Sequence, residues 1–226
     1  MDDLKSASRW LAALLLAQMV IGPIANFRLL EPAFQGDGGF LANAAPHVTA
    51  IGVAALLSIA LALMLAGIAV VLWPVVRPLS ERMALTLAVL GAAVVALAGA
   101  ENAALLSMLS LSQAYVEAGA PDGALYEGLR SVVRSHRNWS HLLQLLSAGG
   151  VILAMYATLY RFRLVPRWLA GFGILAALAQ MTAVTKPLFG GWVVFILLAP
   201  LGAAQLLLAG WLLWKPGFGR ATPVAG

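Results

Sequence analysis

The 226-residue chain has no cysteine, three histidines and nine acidic residues, and only 10% of its residues are charged. Without cysteine there is no disulfide, no thiolate nucleophile and no thiolate metal ligand, and the redox compartment stays undecided. A soluble globular domain carries about 25% charged residues. With 62% hydrophobic residues, this chain cannot surround a water-facing core with 14 basic and nine acidic side chains. A soluble enzyme and a nucleic-acid-binding module are excluded. The net charge of +5 does not reopen the second class, because the cations stand singly or in threes at the ends of apolar runs, where topology-setting charges are found.

What the chain does have is long apolar runs, and a spanning helix needs about 20 mostly apolar residues. Six spans fit, at about 10–30, 47–73, 82–113, 138–161, 168–185 and 192–214. The expected fold is an all-α polytopic transmembrane bundle, a single integral membrane domain over residues 1–226, with an extra amphipathic helical extension before the fourth span. The first run continues through Gly22, Pro23 and Asn26 with no signal-peptide pattern, so it reads as an uncleaved helix kinked at Pro23. Glu31 to Pro46 reads as a loop holding a short interfacial helix near Phe40 to Ala45, and Pro74 and Pro78 stop the second span. The third span, roughly 46 Å long at ~1.5 Å per residue, must tilt or protrude from a ~30 Å core. Along it Ala84, Ala88, Ala92, Ala96, Ala100 and Ala104 form a small-residue ridge suited to helix contact. The segment EAGAPDG (117–123) is a turn, with Asp122 placed to cap the next helix.

An even number of spans puts both termini on one side. Lys5, Arg9, Arg77, Arg82, Arg161, Arg163, Arg167, Lys215 and Arg220 fall on that side, against Arg28, Arg130, Arg134, Arg137 and Lys186 on the other. The positive-inside rule then makes both termini cytoplasmic. Arg130, Arg134 and Arg137 lie against the bias and need another explanation.

Two features do not belong in lipid. Glu127, Arg130, Arg134, Arg137 or Asn138, His141 and Gln144 recur three and four apart, forming one polar stripe that descends from the outer loop into the fourth span. Its upper end reads as the solvated face of an interfacial helix. Arg137, His141 and Gln144 lie deeper, where polar groups turn toward protein or a wet cavity. Glu101 lies about 18 Å from the outer end of the third span, near the bilayer midplane. An ionised carboxylate there costs about 2.5–3.5 kcal/mol, so it must carry a proton, pair with a cation or face a polar cavity. By depth, Gln144 and Ser147 come level with Glu101, and His141 and Arg137 sit above it. A hydrogen bond between Glu101 and His141 is allowed but not implied.

Asn26, Asn102, Gln180 and Gln205 are further polar groups within spans. With Arg134, Arg137, Asn138 and Gln144 they are candidate ligand-binding residues, lining an outer-half cavity with an apolar floor and a basic rim completed by Arg28 or Lys186. Such a cavity suits an amphipathic molecule with an anionic or carbonyl head, such as a lipid, quinone or isoprenoid. A second reading makes Glu101 and His141 catalytic, with Glu101 as the general acid or base of an isomerase or cyclase acting on a hydrophobic substrate. Transport, and a polar cluster that only fixes helix packing, stand beside these. No metal site and no cofactor is expected: His136 and His141 diverge by about 140° on a helix, and no HExxH, CxxCH or Gly-rich phosphate loop is present.

LSLSQAYVEAGAPD (109–122), RNW (137–139), LYRFRLVPRWLAGFG (159–173), LAGWLLWKPGF (208–218) and GIAVVLWPVVRP (67–78) together resemble a bacterial domain-of-unknown-function family of small polytopic membrane proteins. Its members carry LSQxYVxAGAP and LYRxxLVPRWL segments. The resemblance implies the same all-helical bundle in a bacterial inner membrane and no established activity. This chain is a divergent member. Gly91 and Val94 stand where the family usually has Arg and Glu, Asn138 where it has Asp, and Gln205 where it has Glu. Glu101 and His141 occupy positions usually apolar there. The divergence suits a member with its own ligand, a subunit of a larger membrane complex, or a homo-oligomer.

Overall fold

A backbone in hydrocarbon finds no outside hydrogen-bond partner, so apolar runs cross membranes as helices or closed barrels. In the computed structural model, which describes residues 2–35, 38–121 and 123–219, they are helices, and among the described residues there is no strand. The α-helices are α1 (Asp2–Pro23), α2 (Glu31–Phe34), α3 (Gly39–Asn43), α4 (Val48–Val76), α5 (Glu81–Glu117), α6 (Ala124–Arg161), α7 (Arg167–Thr185) and α8 (Ala199–Trp214). Six helical stretches are long and apolar enough to span: Leu4–Phe34, Ala45–Val76, Glu81–Glu117, Ala124–Arg161, Arg167–Phe189 and Phe195–Trp214. The chain is a multi-pass membrane protein.

Proline sets several helix boundaries. Pro23 has no N–H to give the preceding turn, and the chain passes from α1 into a wider π-type stretch, Ile24–Leu30. Asn26 Nδ2 donates to Gly22 O at 3.0 Å, satisfying a carbonyl beside the break. The expected kink is therefore a change of helical pitch. The sixth span begins later than its hydropathy indicates. Residues 191–194 are irregular, Phe195–Leu197 form a 3₁₀ turn, and α8 starts only at Ala199, with Pro200 in its first turn where a missing N–H costs nothing. Asp122 and Arg220 lie outside the described residues. At the start of α6 the N–H of Glu127 donates to Gly123 O at 3.4 Å.

On α5 the buried positions include a run of Ala84, Leu87, Gly91, Val94, Ala98, Glu101, Leu105, Met108 and Ser112, with Asn102, Ala104 and Leu109 buried beside it. The run alternates in steps of three and four, the spacing of a coiled-coil seam. The alanine ridge is different: Ala84 and Ala104 are buried, but Ala92, Ala96 and Ala100 are exposed. A step of four residues advances 400°, so such a ridge drifts about 40° per repeat and winds off the packed face. Glu101 lies on the seam.

The contacts divide into two units. The first comprises the chain up to Met19, Ala62–Val94 and the chain from Leu145. Glycines bring its helices close: a Cβ on Gly91 would stand 3.0 Å from Ala66 Cα, and one on Gly173 would overlap the fully buried Tyr156 ring. The second unit comprises Val20–Leu61 and Val95–Gln144. Leu30, Ala33, Ala44, Ile51, Ala54, Leu105 and Leu109 form its apolar cluster. Phe40, Leu41 and Met108 form another, flanked by Phe34, Tyr115, Tyr126 and Val133. Buried Ser112 ties the α3 segment down, donating to Leu41 O at 2.7 Å and accepting from the Ala45 N–H at 2.8 Å.

Candidate functional site

The second unit contains a helical hairpin whose register places the polar residues. After α5 the chain turns through Gly119 and Ala120, both at positive φ (81° and 53°), and enters α6. Near the turn Tyr115 and Tyr126 stack edge to face at 5.1 Å. Fourteen residues back along α5 and fifteen forward along α6, Glu101 meets His141, with Oε1 2.7 Å from Nδ1. Arg137, one turn earlier on α6, brings Nη2 to 3.8 Å from the same oxygen. Arg137 and His141 therefore bracket Glu101, and the depth assigned from span limits, which put Gln144 level with it, is corrected by the hairpin. The short turn fixes axial register more tightly than hydropathy limits can.

The Glu101 side chain is 11% exposed, that of Arg137 17% and that of His141 29%. The carboxylate has found a cation and a ring nitrogen, which answers the cost of carrying it into a span. The imidazole, held through Nδ1, keeps Nε2 for other work. Arg137 has its guanidinium carbon 5.6 Å from the Phe34 ring centroid, and its buried Nε has no hydrogen-bond partner among the described residues.

Beside this trio lies a cavity of about 130 Å³ lined by Phe34, Gly39, Phe40, Met108, Arg130, Arg134, Arg137 and Asn138. That is room for about four waters at ~30 Å³ each. The three arginines come from one face of α6. Arg130 is also paired with Glu127 at 2.7 Å. The opposite face is apolar and exposed, with Leu125 at 70%, Val132 at 67% and Trp139 at 43%. A solvated helix would show the reverse, polar side out. Here the apolar face lies outward, while along the polar stripe Arg137 is largely buried, Arg130 is half-buried, and Glu127 and Arg134 are exposed, so the upper end stays open and only its lower end turns inward.

The remaining candidates are placed differently. Asn102 is buried but donates to Ala98 O on its own helix, at 2.8 Å. Asn26 is exposed and bonds within the first span. Gln144 is half-buried and outside the set lining the cavity. Gln180 and Gln205 belong to the first unit, where Gln180 Nε2 donates to Leu145 O at 3.2 Å. Arg28 is exposed, and Lys186 also belongs to the first unit, so the basic rim comes from α6, with Arg130 added. His47 lies 2.7 Å through Nδ1 from Asn43 O. Among the described residues no three His, Asp or Glu side chains converge on one point. Phe34, Gly39 and Phe40 were not legible as site residues, since their segment reads as a Gly- and Pro-rich loop with a short interfacial helix near Phe40 to Ala45 and carries no charge that points to a site. The pairing of Phe34 and Phe40 around that loop was the one available signal.

No curated protein and no solved structure matches the sequence. Residues 11–216, all but the first and last ten, match the family described as a domain of unknown function, DUF4386. The chain belongs to that family.

Proposed function

We propose that this protein binds the anionic or carbonyl head of an amphipathic small molecule, of lipid, quinone or isoprenoid type, at the Arg130–Arg134–Arg137 cavity. The observation that carries the reading is that Arg130, Arg134 and Arg137 of α6 line one cavity together with Phe34, Phe40 and Met108, with no acidic side chain among its described lining residues. Arginine forks suit carboxylate, phosphate and carbonyl oxygens. The aromatic and thioether wall suits the first carbons behind such a head. A cavity of about 130 Å³ takes the head alone, so the tail would extend from it into lipid.

The same observation supports the membrane assignment. Arg130, Arg134 and Arg137 opposed the positive-inside count, but arginines engaged in a cavity and in pairs with Glu127 and Glu101 are not free loop charges. Without them the bias strengthens toward a bacterial inner membrane with both termini cytoplasmic. Native mass spectrometry of detergent-purified protein tests the reading. The expected result is a small molecule retained by the wild type and lost in the Arg130→Gln/Arg134→Gln double variant. Retention unchanged in the double variant overturns it, and co-purifying subunits without any small molecule favour an accessory role in a membrane complex.

The 2.7 Å contact between Glu101 and His141 favours a second reading, an intramembrane acid/base enzyme of the isomerase or cyclase kind. A carboxylate that orients Nδ1 leaves Nε2 to take or give the proton. Glu101 is then the positioning partner and His141 the transferring group. Once a ligand is known, turnover that survives both Glu101→Gln and His141→Gln excludes this chemistry.

A further inference from the structure

The first unit carries a second basic cavity, separate from the arginine site on α6. It measures about 740 Å³, within the ~300–1,000 Å³ typical of small-molecule sites, and Arg163, Arg167, Trp211 and Lys215 line it. Among the described residues no acidic residue lines it, and none of its three cations makes an ion pair with another described residue. Aromatic rings hold two of them instead. Lys215 Nζ lies 4.8 Å and 4.9 Å from the Trp211 and Trp214 ring centroids, and the Arg167 guanidinium lies 5.4 Å from that of Tyr160. Such contacts orient a cation while leaving its N–H donors available.

The walls are fixed. Gly219 N–H donates to Leu164 O at 2.8 Å, and Gly217 N–H donates to the fully buried Ser8 Oγ at 2.8 Å. Between α6 and α7 the chain closes with Leu164 N–H on Leu159 O (3.0 Å) and Arg163 N–H on Tyr160 O (3.3 Å). This helix-ending turn puts its reversal residue in the left-handed region, where glycine is usual. Here that residue is Arg163, at φ 55°. An arginine held in a glycine conformation on a cavity wall points to a use for its charge.

We propose that this cavity binds the phosphate of an anionic phospholipid headgroup. Phosphate chemistry follows from three cations without a carboxylate. A lipid source follows from the surroundings: the cavity lies where α6, α7 and α8 end or begin, and Trp168 and Trp214 stand 63% and 73% exposed beside it, as aromatic residues do at a bilayer interface.

The test is native mass spectrometry of the full chain in neutral detergent, titrated with phosphatidylglycerol, with phosphatidylcholine of the same acyl chains, and with glycerol phosphate as a head-only probe. The wild type should retain phosphatidylglycerol preferentially. Arg163→Gly should reduce that retention about five-fold, the worth of one interfacial cation, while its melting temperature holds or rises because the backbone strain is relieved. Lys215→Gln should weaken retention similarly, and Arg82→Gln, at an exposed cation that does not line the cavity, should leave it unchanged. Equal retention of the two lipids, or full retention by Arg163→Gly, overturns the proposal. Glycerol phosphate binding as tightly as the lipid also overturns it, in favour of a soluble phosphate compound.

Discussion

Glu101 and His141 lie forty residues apart in sequence, yet Oε1 and Nδ1 meet at 2.7 Å, and Arg137 reaches the same oxygen at 3.8 Å. One acceptor thus faces a ring nitrogen and a cation in the middle of two long helices. At 3.8 Å the arginine supplies charge compensation rather than a hydrogen bond, so the histidine makes the directional contact.

Removing that acceptor should be costly. Glu101→Ala leaves Arg137 and His141 without their shared partner and should lose about 1.5–3 kcal/mol, the range for hydrogen bonds to charged groups. Glu101→Gln keeps an acceptor for His141 and should lose less. Thermal unfolding of detergent-solubilised protein, followed by circular dichroism, checks the order. Equal losses would mean that the carboxylate is not what the two side chains need.

Helix contact in the first unit depends on Gly173. A Cβ there would overlap the Tyr156 ring, which is fully buried, whereas one on Gly210 meets nothing within 4 Å. Gly173→Ala should destabilise by about 1–3 kcal/mol through overpacking. Gly210→Ala, in the interior of α8, should be neutral or gain up to about 1 kcal/mol in helix propensity. Parallel melts of the two variants measure the difference.

Ser112 holds two backbone groups that precede the second span. Ser112→Ala strands the Ala45 N–H and the Leu41 carbonyl, at about 1–3 kcal/mol for an unsatisfied buried group. The loss should be local. Hydrogen exchange across residues 38–47 should accelerate well before exchange in α5 does, and uniform acceleration would show that Ser112 supports the whole unit.

The absence of cysteine makes topology directly testable, since any introduced thiol is the sole one. Ser6 and Pro121 are both exposed. With cytoplasmic termini, Pro121→Cys should react with a membrane-impermeant maleimide in intact cells, and Ser6→Cys only after permeabilisation. The opposite labelling pattern inverts the proposed orientation.

The candidate site was half legible. Glu101 stood out because a carboxylate in a span has a cost that one residue's surroundings must meet. It also falls on the 84-to-112 seam in steps of three and four, so its inward direction was written in the same periodicity as the core. The alanine ridge misled because composition repeated every four residues, while burial followed the mean step of 3.5. The stripe on α6 was visible as a stripe, but its spacing is identical whether the arginines face water or protein.

Solvent, helical class and the approximate position of six spans are determined by the sequence alone, because hydrophobicity and period are properties of each segment by itself. The position of Pro23 adds the break at the end of α1, whereas the late start of α8 is seen only in the fold. What only the tertiary structure decided is which segment each face meets. The hairpin turn sets the axial register that joins Glu101 to Arg137 and His141. The α3 segment, pinned by Ser112, supplies part of the wall of the cavity that Arg130, Arg134 and Arg137 line. These are relations between elements distant in sequence. A single helix's periodicity reports the angle and height of a side chain but nothing about its neighbour.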